Sequence, residues 1–170
     1  MSQQNAIKSW DGKSKDDIQA IFAEYSAQDD FIYSLICGLT EPEIQDGASW
    51  LLKHFLEAKK KPKNNHLNPA QTQQVLSTLH QLNTWPSQLH ILQCLPYLTL
   101  DKNSKQSLAA FIRLTMQSDN KMVRAWAYNG FYLLAQTFTE YQTEMHDCLT
   151  LALNDKDEAA SVKARIRKLV

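Results

Sequence analysis

Two short spacings in the chain bring together side chains that could do chemistry. His90 and Cys94 stand four residues apart, the interval that places two ligands on one helix face for a metal. A tetrahedral site needs four donors and no second pair accompanies them, so a metal is not expected. His146-Asp147-Cys148 contains the residue types of a nucleophilic triad. Consecutive helical residues diverge by about 100°, however, and cannot converge on one atom. Asp46 and Trp50 share a helix face and are the nearest approach to a catalytic constellation. Gly12, Gly38, Gly47 and Gly130 are isolated from one another, which excludes a glycine-rich phosphate loop. These residues imply no catalytic set, cofactor or metal, and an enzyme is not expected.

The elements that would position such residues all carry the helical period. Residues 1–14 are polar apart from Trp10 and read as a loose N-terminal arm. A first helix is expected at about 15–27, with Ile18, Ile21, Phe22 and Tyr25 as its stripe. Its neighbour starts at Asp29 and ends near Gly38, where a left-handed cap would be cheap. Thr40-Glu41-Pro42-Glu43 reads as a capping box opening a helix that buries Ile44, Ala48, Leu51 and Phe55. Lys59 to Asn65 is the clearest break. Asn68-Pro69-Ala70-Gln71 restarts a helix with a second capping box, and Thr84-Trp85-Pro86 begins the next, which Pro96 bends or ends. Leu108, Phe111, Ile112 and Thr115 form one further stripe. Asp119 then caps a helix burying Val123, Ala127, Gly130 and Leu134, and the cost of Gly130 points to close approach by another helix. Thr139-Glu140-Tyr141-Gln142 is a third box, and the last helix runs from about 158 to the end. No segment alternates with the two-residue period of a strand.

Composition agrees with helices and narrows the partners. Glycine and proline number only 4 and 5, too few for the many tight turns of a sandwich or barrel. No apolar run approaches the ~20 residues needed to cross a bilayer, and no secretory signature opens the chain. Cys37, Cys94 and Cys148 are odd in number and far apart, which fits reduced thiols in a cytoplasmic protein. The formal net charge is 0, a poor footprint for strong nucleic-acid binding. Its distribution is uneven, with acidic residues in excess through residue 50 and a basic cluster at Lys59, Lys60, Lys61 and Lys63.

Asp119-Asn120-Lys121-Met122-Val123-Arg124 returns in looser form as Asp157-Glu158-Ala159-Ala160-Ser161-Val162-Lys163. The second members of successive helix pairs start near Glu43, Pro86, Asn120 and Glu158, an interval of roughly 35–43 residues that suits helical-pair solenoids. With Asp119, Val123 and Arg124 in place, the chain resembles a HEAT-like array of the armadillo superfamily. The match at Asp157, Val162 and Lys163 carries one residue too many and Lys for Arg, and the pair around Leu89 lacks the signature. The resemblance implies an all-α, right-handed superhelix, an α-α solenoid of about four stacked hairpins plus one N-terminal helix, as a single domain over 15–170. It also implies that Arg124 ties to an Asp, Asp119 or Asp155, holding the repeats in register.

By the same resemblance the second helices line the concave face and carry partner contacts. Steps of 100° per residue from the core positions turn Asp46, Ser49, Trp50 and Lys53 outward on the first of these helices. His90, Cys94 and Tyr97 follow on the second, Tyr128, Asn129 and Tyr132 on the third, and Ala164, Arg167 and Lys168 on the last. Trp50, Lys53, Tyr97, Tyr128, Asn129, Tyr132, Arg167 and Lys168 are therefore the candidate partner-binding residues. The expected function is a non-enzymatic scaffold for a protein or peptide partner. The alternative is a nucleic-acid-binding module related to DNA repair, using Lys59–Lys63 and Arg167–Lys168; HEAT-like alkylation-repair glycosylases, which use a carboxylate and aromatics on a basic concave surface, are similar in architecture only. No membrane is expected. The last helix ends at Val170 without a polar cap, which leaves self-association through the C-terminal repeat open.

Overall fold

The computed structural model describes residues 1–58 and 66–170 and contains only helices, turns and loops among them. The break at Lys59 to Asn65, with its basic cluster, lies outside the described residues. The chain divides into two compact units, Met1–Leu98 and Thr99–Val170, each with its own core. Among the described residues no helix is long and apolar enough to cross a membrane.

Unit 1 holds α1 (Gln3–Lys8), α2 (Lys15–Tyr25), α3 (Phe31–Gly38), α4 (Gln45–Glu57), α5 (Pro69–Ser77) and α6 (Trp85–Cys94), followed by a 3-10 turn at Leu95–Tyr97. α4 is the hub, packed against α1, α2, α3 and most extensively α6. Phe31, Leu35, Leu39, Leu51, Leu52, Ile91 and Leu92 are fully buried around it, each stabilising the fold by about 1.5–3 kcal/mol. The expected loose arm is instead a seated helix. Ser2 caps α1, Ile7 is buried, Tyr25 donates its hydroxyl to the Met1 carbonyl at 2.7 Å, and Lys8 pairs with Glu43. Gly47 makes this possible, because a Cβ there would lie 2.5 Å from the Ile7 Cγ2 methyl.

The predicted helix starts fare unevenly. Asn68 accepts from the Gln71 amide at 2.9 Å and its own amide donates to the Gln71 side chain at 3.0 Å, completing the expected box with Pro69 in the first turn. The box at Thr40 does not form, since Glu43 is engaged by Lys8 and Thr40 bonds back to the Cys37 carbonyl. α4 therefore starts two residues beyond Glu43, without a side-chain cap. Gly38 is not a left-handed cap either. It is helical, and a Cβ on it would meet Ala48 Cβ at 2.9 Å, so its smallness serves the close packing of α3 on α4.

Unit 2 holds α7 (Lys105–Thr115), α8 (Lys121–Thr137), α9 (Gln142–Asn154) and α10 (Ala160–Ile166). α8 contacts α7, α9 and α10, so its buried arc takes in Val123, Ala125, Ala127, Tyr128, Gly130, Phe131, Leu134 and Ala135. Asn120 rather than Asp119 caps it, accepting from the Met122 and Val123 amides. The Thr139 box is replaced by a 3-10 turn over Thr139–Tyr141, with Glu140 held by Lys105 at 2.6 Å. α10 starts at Ala160 and ends at Ile166, shorter than the sequence suggests.

Candidate functional site

In unit 1 the residues expected to face outward on α4 and α6 largely face each other. Gln45, fully buried, donates to the Leu39 and Gln81 carbonyls and accepts from the Asn83 amide and the Ser87 hydroxyl. Both donors and both lone pairs of its amide are thus used. The Thr84 hydroxyl donates to the Asp46 carboxylate. Ser49, with no exposed surface, donates to the Asp46 carbonyl and stands 3.0 Å from His90 Nδ1. Burial first, then the Lys53 charge, pushes the His90 ring down to about 4. Cys94 is wholly buried, and that burial drives its thiol pKa upward. Ser49 and Cys94 are corrected accordingly, since both are buried, while Asp46 and His90 are half-buried, Asp46 bonded to Thr84 and His90 in contact with Ser49.

Trp50 is half-buried and stacks on His54 at 4.9 Å, with Lys53 Nζ 5.9 Å from its ring centroid. His54 is also met edge-on by Phe22. Lys53 reaches Glu57 at 3.8 Å, and Tyr97 is exposed in the 3-10 turn after α6. Trp50 and Lys53 thus form one local cluster.

In unit 2, Asn129 and Tyr132 are half-buried, and Arg167 and Lys168 are exposed just after α10. Tyr128 is the correction: only 8% of it is exposed, because α8 is covered by three helices rather than one. The outward line of α8 runs instead through Met122 and Trp126, and the Arg165 guanidinium lies 4.0 Å from the Trp126 ring centroid.

Buried as it is, Tyr128 lines a hollow of unit 2. An open groove of about 520 Å³ lies over it, with Met116 from the end of α7 and Cys148, Leu151 and Ala152 from α9 completing an apolar floor. Asn154, Asp155 and Glu158, in and beside the α9–α10 connection, make the polar rim. Beneath lies a core of Ala125, Leu149, Val162 and Ile166. The volume falls within the range of about 300–1,000 Å³ common to ligand sites.

Arg124 sets one side of this rim. Its guanidinium donates to both Glu158 carboxylate oxygens, at 2.8 to 3.3 Å, and to the Ser118 and Asp119 carbonyls at 2.7 and 3.1 Å. The residue thus joins the α7–α8 turn to the α9–α10 connection. Its acidic partner is Glu158, not the Asp119 or Asp155 carboxylate that the resemblance implied. Burial alone would raise the Glu158 pKa, but the Arg124 bonds and the Ala159 amide outweigh it and hold the carboxyl below its ordinary range. The Arg124 pKa is raised, chiefly by the same bond.

The groove eluded sequence reasoning because its lining comes from three helices and a loop. One signal was present: Cys148, Leu151, Ala152 and Asp155 recur at helical spacing, a second stripe on α9 beside the core stripe Met145, Leu149 and Ala152. The chain matches no protein-family model, no curated protein and no solved structure.

Proposed function

We propose that the protein is a non-enzymatic binding module built from HEAT-like hairpins, and that it takes a protein or peptide segment in the groove over Tyr128. What carries this reading is the groove itself: an apolar floor with Asn154, Asp155 and Glu158 at its rim, and Leu151 70% exposed at its mouth. A concave apolar floor with a few polar groups at its rim is the form binding sites commonly take. The hairpin reading draws support from the packing of α4 on α6 and of α8 on α10, second helix on second helix within each unit. The non-enzymatic reading draws support from Ser49 and His90. They stand 3.0 Å apart, yet Ser49 has no access to solvent.

The test is affinity capture from native lysate with the unaltered chain and with Leu151→Arg. This exposed position tolerates the change, so the melting temperature stays the same while the captured protein is lost. An unchanged set of captured proteins removes the groove from the proposal. Nuclease treatment and a salt series address nucleic acid, for which Arg167 and Lys168 are exposed. Capture that survives nuclease and falls only gently with salt excludes that alternative.

A further inference from the structure

We infer that the groove over Tyr128 selects a basic segment of a protein partner, with an apolar side chain of leucine or methionine size entering the floor and an adjacent lysine or arginine meeting Asp155. The inference rests on the groove being a binding site and adds the chemistry of its occupant.

The residues lining the groove include two carboxylates and no cation. The two differ. Glu158 is held by Arg124 through several hydrogen bonds and also accepts from the Ala159 amide, so its charge is already matched. Asp155 is exposed and receives one backbone hydrogen bond, from the Asp157 amide at 2.9 Å. Among the described residues it forms no salt bridge. Asp147 on α9 and Asp157 on the connection add two exposed carboxylates near it in the chain, against Lys156.

The Tyr128 phenol is raised by burial first, then by Glu158, with Arg124 opposing and Asp155 adding to the rise; the Cys148 thiol is raised by burial, then by Glu144 and Asp147, with Arg113 opposing. An acidic segment would be repelled here. A wholly apolar one would strip water from Asp155 without replacing its bonds, which costs free energy. A cation beside an apolar anchor satisfies both floor and rim. The hydrocarbon stem of lysine or arginine can itself lie along Leu151 while its head reaches the carboxylate.

The test uses three short amidated peptides with leucines at helical spacing, their other positions filled by lysine, glutamine or glutamate. Binding to the full chain is followed by amide chemical shifts. The lysine peptide should move the signals of Tyr128, Cys148, Leu151, Ala152 and Asp155, and bind more tightly than the glutamine peptide, with the glutamate peptide weakest. Asp155→Asn should weaken the lysine peptide about two- to five-fold, the size of one exposed ion pair, and leave the glutamine peptide unchanged. Asp155→Lys should reverse the order of lysine and glutamate peptides. Equal binding of all three peptides, shifts confined to other surfaces, or indifference to Asp155→Asn overturns the inference. Those outcomes leave the broader proposal standing if Leu151→Arg still abolishes capture of the protein partner, so the two failures are told apart.

Discussion

Arg124 does at the scale of one residue what a disulfide does in other small domains: it fastens two turns that the chain separates by 34 positions. Because Glu158 is partly buried along with it, removal of the cation would leave a carboxylate short of partners. Arg124→Ala is expected to lower unfolding stability by about 1–3 kcal/mol. Arg124→Ala combined with Glu158→Gln should recover part of that loss, and urea unfolding of the four members of the cycle measures the coupling. His90 makes a different prediction. Its folded pKa of about 4 lies below the ordinary value of 6.5, so the fold disfavours the protonated ring. Above pH 6.5 both folded and unfolded rings are neutral and nothing is gained or lost. Between 6.5 and 4 the unfolded chain takes up a proton that the folded one refuses, and stability falls by about 3 kcal/mol before levelling off. His54 is held down in the same direction, by burial and then by Lys53, and adds to the slope. Urea midpoints at pH 7, 5.5 and 4.5 should therefore fall more steeply for the unaltered chain than for His90→Gln; parallel curves would show that His90 takes up its proton in the fold as readily as out of it.

Among the elements, α8 and α1 show where helical periodicity succeeds as a guide and where it stops. Every long helix was legible, because a stripe of Leu, Ile, Val and Phe at 3.6-residue spacing has no other economical use. The depth of burial around a helix was not. α8 touches three neighbours, so Tyr128, placed on its free side by angle alone, lies inside. The polar face of α4 points outward by angle, yet Gln45 meets Ser87 and Ser49 meets His90, both on α6. α1 was missed because a helix of 6 residues has too few turns to show a period, and its stability comes from docking rather than propensity. The docking notch is Gly47. Alanine there would favour the α4 helix by up to about 1 kcal/mol. Its methyl would overlap a branched carbon of Ile7, however, at about 1–3 kcal/mol. Gly47→Ala is therefore expected to release α1 selectively, seen as faster tryptic cleavage after Lys8 with α4 and α6 still protected from hydrogen exchange. Unchanged cleavage would mean that α1 is seated by Tyr25 and Lys8 without help from the notch.

For the molecule as a whole, what the sequence makes legible is helical class and the order of the helices; what it hides is which surfaces meet. Val123 is legible as a buried residue from its helical stripe, whereas a tether for Arg124 is implied only by the resemblance to HEAT-like arrays. The identity of the tether, Glu158, depended on a fold that brings the α9–α10 connection back to the α7–α8 turn. The groove over Tyr128 is hidden for the same reason, since its lining residues are strangers in the sequence. Division into two units, each with its own buried core, also follows from packing that no local pattern records. The seam between α4 and α6 carries one more implication. Oil is indifferent to alignment, and a leucine slid along by one turn soon finds another greasy neighbour. Gln45, Ser87 and the Thr84–Asp46 pair are not so forgiving, because each has its mate at one offset alone. These few amides and hydroxyls act as the keyway of the first unit: they lend little strength, but they let the lock turn in a single position.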